Sequence, residues 1–256
     1  MIAATAAVPF VLCYHAVSEA WDDPLAMRPE TLERQVAAAI RWGWKPAAAA
    51  DVVAGSSRAL HVTFDDGYRS ILRVLPMLER LGIRPTVFVC TAYAHDGRPL
   101  DVPLLDHVPS AHRHELATLS WDELRELADR GIEIGSHSRT HPNLRELSTS
   151  DLWEEVSASR EEIEDQVGRR CSYFAYPYGQ SDHRVQHAVE RAGYEAAFGI
   201  VGVGRLGGRF GISRVDSSRR DAALRMLLKS SAAWPALSRP LGRLRGSLGR
   251  LPSRRR

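Results

Sequence analysis

The stretch Ala59-Leu60-His61-Val62-Thr63-Phe64-Asp65-Asp66-Gly67 runs an apolar pattern straight into two carboxylates and a turn glycine. Such a run predicts a strand that ends where the acids begin. Further along, Ile132-Glu133-Ile134-Gly135-Ser136 is a second short strand pattern, closed by Gly and Ser and followed by His137-Ser138-Arg139-Thr140-His141. In α/β proteins, chemistry is placed where such strand ends converge on one face of a sheet or barrel.

Outward from these stretches the chain alternates strand and helix patterns. Strands are expected at Val8–His15, His61–Phe64, Thr86–Cys90 and Cys171–Ala175, near Glu195–Ile200, and at Gly211–Val215. Between them, helices are expected at Pro29–Trp42, Ser70–Leu81, Trp121–Arg130, Ser150–Val167 and Asp182–Ala192, with Ser120 and Glu123 forming a capping-box pattern, and Asp221–Lys229 closes the domain. Repeated βα units imply a largely parallel sheet, here wound into a barrel. The segment Ala92–Thr118 breaks the alternation. It carries three prolines and four histidines, His95, His107, His112 and His114, and is expected to be a loop over the active face. The histidine spacing is too irregular to argue for a second metal.

His137 and His141 are four residues apart, so one turn or tight loop can aim both rings at one point. Zinc-type ions favour imidazole nitrogen and carboxylate oxygen, and a catalytic site keeps a position open for water. The two histidines and either Asp65 or Asp66 would supply three ligands, leaving the other Asp free as a base. A third stretch, Phe174-Ala175-Tyr176-Pro177-Tyr178-Gly179, reads as a strand entering a turn able to aim a backbone N–H at a bound carbonyl.

In this order, Thr-Phe-Asp-Asp-Gly, His-Ser-x-x-His and Tyr-Pro-Tyr-Gly resemble the signature of the polysaccharide deacetylase family, also called the NodB-homology or carbohydrate esterase 4 group. The resemblance implies a single-domain α/β fold, a distorted (β/α)7-type barrel. It also implies metal-dependent removal of acetyl groups from N-acetylated sugars of a polysaccharide or its precursor. By position, Asp65 matches the catalytic base and Asp66, His137 and His141 match the metal ligands, with zinc favoured and cobalt or nickel also fitting. Tyr178 matches the residue whose backbone N–H faces the oxyanion, and Pro177, Tyr178 and Arg214 are the expected substrate contacts.

The chain departs from the family pattern in two places. Ala175 stands where an Arg usually partners the base, and Arg214 is a candidate replacement. No His follows His187, so the usual C-terminal acid is missing; the apolar strand stretch Phe10–His15, ending in Tyr-His, resembles the first strand of the circularly permuted branch typified by poly-N-acetylglucosamine deacetylases and makes His15 the expected acid. An O-acetyl esterase, another amide hydrolase, or an inactive glycan-binding protein are the alternatives.

Composition fits one barrel-sized domain. With 44% hydrophobic and 25% charged residues the chain reads as an ordinary soluble globule, and a formal charge of +3 gives no case for nucleic acid. The expected organisation is an N-terminal extension over 1–7, a deacetylase domain over 8–230, and a basic, flexible tail over 231–256. Seven Arg and no acid lie between Arg239 and Arg256, a composition that suits contact with anionic membrane. Cys13, Cys90 and Cys171 do not read as a disulfide framework, and there is no secretory pattern or membrane-length apolar run. A cytoplasmic location, peripheral at the inner membrane face, is therefore expected. Gly202–Gly207 matches a dinucleotide glycine pattern but lacks a following helix, and most of the Trp and Tyr residues are expected in packing rather than sugar stacking.

Overall fold

In the computed structural model, which describes residues 9–201, 203 and 207–218, the apolar runs form ten strands. These are β1 (Phe10–Tyr14), β2 (Ala16–Val17), β3 (Ala26–Met27), β4 (Lys45–Pro46), β5 (Ala59–Phe64), β6 (Thr86–Val89), β7 (Glu133–Ser136), β8 (Tyr173–Ala175), β9 (Ala196–Ile200) and β10 (Ile212–Asp216). The helices are α1 (Pro29–Arg41), α2 (Ala49–Val53), α3 (Leu75–Arg80), α4 (Trp121–Asp129), α5 (Thr149–Val167) and α6 (His183–Arg191). The expected closing segment Asp221–Lys229, the 1–7 extension and the arginine-rich tail lie outside the described residues, as does part of the Gly202–Gly207 pattern.

Seven strands close into a parallel ring in the order β1-β10-β9-β8-β7-β6-β5, with β5 returning to β1. The chain therefore forms the distorted (β/α)7-type barrel expected of a single domain. The ring is uneven. β1 and β5 stay in register from Phe10↔Leu60 to Tyr14↔Phe64, whereas β7 and β8 share the Ser136↔Phe174 position. The short β4 joins the start of β5, at Lys45↔Ala59.

Strand alternation sorts the core into two layers. Phe10, Leu12, Tyr14, Leu60, Val62 and Phe64 belong to a large cluster that also takes in residues of α1 and α3 to α6, while Val11, Phe88, Tyr173, Ala175, Ala196 and Phe198 form a smaller one. On β5 the second periodicity carries His61, Thr63 and then Asp65, all buried. The polar side chains of the future site thus share a face fixed by register with β1.

Helix ends follow local chemistry. Ser120 accepts from Glu123 N while the Glu123 side chain accepts from Ser120 N, closing the capping box of α4. Ser148 and Asp182 cap α5 and α6 by accepting from Asp151 N and Val185 N, without a reciprocal bond. The single helix expected over Ser70–Leu81 is corrected: a 3₁₀ turn, Arg69–Arg73, is followed by the separate α3. Pro76, in the first turn of α3, explains the break, because it has no N–H to continue the hydrogen-bond ladder from the preceding turn.

The Ala92–Thr118 segment is also corrected. It is not an open loop but three 3₁₀ turns packed over a second core, with Tyr93, Leu100, Leu105 and Leu116 set against Trp21 and Tyr68. Among the described residues its histidines join no metal-ligand cluster, and His107 instead pairs with Asp23 at 2.7 Å. Tyr68, Tyr93 and Trp121 are buried; Trp42 and Trp153 are exposed. The three cysteines are free and buried. No helix among the described residues is long and apolar enough to cross a membrane.

Two expectations test this packing. A Cβ on Gly135 would lie 2.6 Å from the Phe88 ring and 2.9 Å from Tyr173 O, so Gly135→Ala should cost about 1–3 kcal/mol in urea unfolding; an unchanged midpoint would contradict the closeness of β7 to its neighbours. Burial pushes His61 down to about 4, so the fold favours its neutral ring. The unfolded chain takes up that proton below about pH 6.5, so stability present above that pH is lost on the way down to about 4. The loss is at most about 1.4 kcal/mol per pH unit. His61→Gln should flatten this acid limb, and an unaltered slope would show that the ring does not report its burial.

Candidate active site

The carboxyl ends of the barrel strands deliver the site, as the parallel topology requires. β5 ends in Asp65 and Asp66, β7 leads into His137 and the loop to His141, β8 leads into Pro177–Gly179, and β1 ends beside His15. Five non-glycine residues of the described chain have positive φ, and four of them, Asp66 (68°), Ser138 (66°), His141 (63°) and Tyr178 (59°), sit here. Left-handed backbone at non-glycine residues costs free energy and is tolerated where function fixes the geometry. Gly179 is a further case. It has φ +66°, and a Cβ there would lie 2.4 Å from Ile200 Cγ1.

Asp66, His137 and His141 converge. Nε2 of each histidine lies 3.4 Å from Asp66 Oδ1, and the two rings stand edge-on with centroids 5.0 Å apart. His137 Nδ1 lies 2.8 Å from Ala175 O, a contact that needs the proton on Nδ1 and leaves Nε2 as a lone pair facing the carboxylate. Burial, opposed by the Asp65 charge, pushes both imidazoles down to about 4, so near neutral pH they are uncharged donors. Burial pushes the Asp66 carboxyl upward. Asp66 Oδ1 and His141 Nδ1 are buried without a hydrogen-bond partner. A buried acceptor oxygen facing imidazole nitrogens is unfavourable on its own, and a divalent cation held by these three residues would satisfy it. Two nitrogens and one oxygen match the donor preference of zinc-type ions.

Asp65 serves a different end. Arg214 NH1 donates to its Oδ1 at 2.6 Å and NH2 to its Oδ2 at 2.8 Å. The guanidinium also donates to Thr63 Oγ1 at 3.0 Å and to Gly199 O at 3.4 Å, and it lies 5.3 Å from the centre of the Phe88 ring. Burial alone would raise the Asp65 pKa, but the Arg214 charge, aided by His137, outweighs it and holds the carboxyl well below the usual range. Arg214 has no exposed surface, so its expected place as a substrate contact is corrected: its fork is spent on Asp65, from β10, which one strand, β9, separates from the β8 residue Ala175.

His15 is half-buried, and its ring shares a cluster with Cys13 Sγ and an Asp65 oxygen, all within 4.8 Å of one another. Tyr178 stands edge-on to His141 with centroids 4.7 Å apart, at the crest of its left-handed turn. Pro177 is buried, so its ring shapes the turn instead of offering the open face expected of a substrate contact. Sequence reasoning missed two supports. Cys13 Sγ donates to Asp65 Oδ2 at 3.3 Å, a contact that depends on β1–β5 register. Glu155 of α5 accepts from the backbone N–H groups of Arg139 and Thr140, both at 2.9 Å, clamping the loop between the two histidines. Nothing in the sequence separates Glu155 from the other acids of α5.

With the geometry in place, the chain can be set beside known proteins. The family model described as polysaccharide deacetylase matches residues 53–197, more than half of the chain. The chain belongs to the polysaccharide deacetylase family. Among curated relatives, the peptidoglycan-N-acetylmuramic acid deacetylase PdaA of Bacillus subtilis is 24% identical over 147 residues, which is 56% of this chain and 47% of the relative. The chain spans less than half the length of the curated relatives it matches. Among solved structures, IcaB from Ammonifex degensii superposes with a TM-score of 0.70 at 19% identity, covering 88% of this chain and 98% of that one. The Streptococcus pyogenes deacetylase PplD gives 0.69 at 18%, covering 87% and 98%. At these identities the structural likeness concerns the fold, and it extends over most of this member of the deacetylase family.

The Arg214–Asp65 pair yields a direct test. Removing one partner of a buried pair leaves an uncompensated charge, so Arg214→Met should destabilise the protein by about 3–5 kcal/mol near neutral pH. Asp65→Asn combined with Arg214→Met should recover part of that loss in a urea double-mutant cycle; additive losses would show that the pair is not coupled.

Proposed function

We propose that this chain is a metal-dependent hydrolase that removes acetyl groups from N-acetylated sugars of a polysaccharide or its precursor. The observation that carries the reading is a buried Asp66 oxygen facing two neutral imidazoles at 3.4 Å, beside a second carboxylate, Asp65, which is bound by its own arginine and lies 3.9 Å from His137 Nε2. Asp66, His137 and His141 would hold the ion, zinc by donor preference with cobalt or nickel also fitting. When bound, it would supply polarisation of the acetyl carbonyl and a water of lowered pKa.

The chain's own residues take the remaining roles. Asp65, held ionised by Arg214, is available as a proton acceptor across the neutral range. His15 approaches from β1 and is assigned as the acid that protonates the departing amine. The Tyr178 backbone N–H, set by the left-handed turn before Gly179, is assigned to the developing oxyanion. The name of PdaA, a deacetylase of a peptidoglycan sugar, fits the same chemistry. Arg214 weakens the case for an inactive glycan-binding protein, because the arginine missing at Ala175 is supplied from another strand.

Acetate release from N-acetylglucosamine oligomers by metal-stripped protein, with and without added zinc, tests this reading. Release should require zinc, vanish in Asp65→Asn, and fall by about 10²–10⁴-fold in folded His15→Ala. Release confined to an O-acetyl ester would move the assignment to the esterase. Stoichiometric zinc binding with no release from either substrate would sink the enzymatic reading.

A further inference from the structure

Among the described residues, one cluster of metal-ligand atoms exists besides Asp66, His137 and His141. It comprises Cys13, His15 and Asp65, whose donor atoms lie within 4.8 Å of one another. We propose that these three residues form a second, thiolate-containing metal site, which captures a soft divalent ion when metal is in excess and silences the enzyme. The binding claim stands on the cluster alone; the silencing rests on the deacetylase reading above.

The geometry is close to that of a ligand set. A tetrahedral ion bound at ordinary Zn–S and Zn–O distances holds its sulfur and oxygen about 3.6 Å apart. Cys13 Sγ and Asp65 Oδ2 already stand at 3.3 Å. That spacing is set by the barrel, since Cys13 on β1 is in register with Thr63 on β5 and Asp65 lies two residues beyond Thr63 on the same face. His15 follows Cys13 by two residues, and its half-buried ring gives the cluster an opening that the buried thiol and carboxylate lack.

Donor chemistry sets selectivity. A thiolate beside an imidazole and one carboxylate oxygen favours zinc and cadmium over magnesium or calcium. Binding would form an S–metal bond, release the Cys13 thiol proton to solvent, and involve no oxidation. The Arg214 guanidinium remains against Asp65, and its charge makes this site weaker than the Asp66 site. The second ion is therefore taken up only after the first. Once bound, it would occupy both the carboxylate assigned as base and the imidazole assigned as acid.

Cobalt(II) titration of metal-stripped full-length protein tests the proposal. The first equivalent should give visible ligand-field bands without a thiolate-to-cobalt charge-transfer band. Further equivalents should bring in that near-ultraviolet band, and Cys13→Ser should lose it. Zinc or cadmium in excess should suppress acetate release in the natural chain, but not in Cys13→Ser, when each protein is compared with its own activity at one equivalent. Cys13→Ala repeats the comparison if the serine variant does not fold. Absence of the charge-transfer band at any metal excess, or its persistence in folded Cys13→Ser, overturns the site. The band with undiminished acetate release retains the site and overturns the silencing. If no acetate is released under any condition, the spectra decide the site independently and the failure belongs to the enzymatic reading.

Discussion

A guanidinium with no exposed surface lies against a carboxylate inside a ring of parallel strands, and the rest of the site is arranged around that contact. Placing either charge in the barrel unpaired would cost several kcal/mol. The pair is tolerable because Arg214 makes four hydrogen bonds, two to Asp65 and one each to Thr63 and Gly199. Thr63 in turn donates to Leu12 O, so the network ties β5 to β1 and to β10, the strands that complete the ring. Asp65 is thereby held charged and in one orientation, with its neighbour Asp66 turned by a left-handed backbone toward the histidines. Two adjacent carboxylates acquire different chemistry because one faces a fixed cation and the other faces lone pairs.

Much of this was legible in the sequence. Asp65, Asp66, His137 and His141 announce themselves because each set follows a strand pattern and local spacing confines the side chains to one place. What was not legible depends on non-local register. Cys13 reads as a strand cysteine until β1 pairs with β5. Arg214 could be suspected from the vacancy at Ala175, yet its complete burial follows only from closure of the barrel on β10. Glu155 is one of many acids along α5, and only the path of the His137–His141 loop singles it out. The break in the Ser70–Leu81 pattern was local and readable, since Pro76 lies within it.

The segment between Ala92 and Thr118 misled for a different reason. Its prolines and polar residues read as a loop, and its apolar residues show no helical or strand period. They are buried because three distant segments meet over them, the stretch after β3's partner β2, the turn at Tyr68, and the insertion itself. The polar contacts follow the same plan. The buried Glu115 accepts from Ser18 at 2.8 Å and from Arg73 at 3.0 Å, while Arg73 also donates to Val17 O at 2.7 Å.

This wall bears on the chemistry through one short piece of chain. His15 stands between β1, fixed in the barrel, and β2, whose Val17 is held from both sides by Ser70 and Arg73. A residue in that position has little freedom to leave the rim, even though its ring remains half exposed. The insertion, the Arg73–Glu115 contact and the second core therefore fix the direction from which His15 enters the site. The strand end that carries His15 is thereby held beside Cys13 and Asp65.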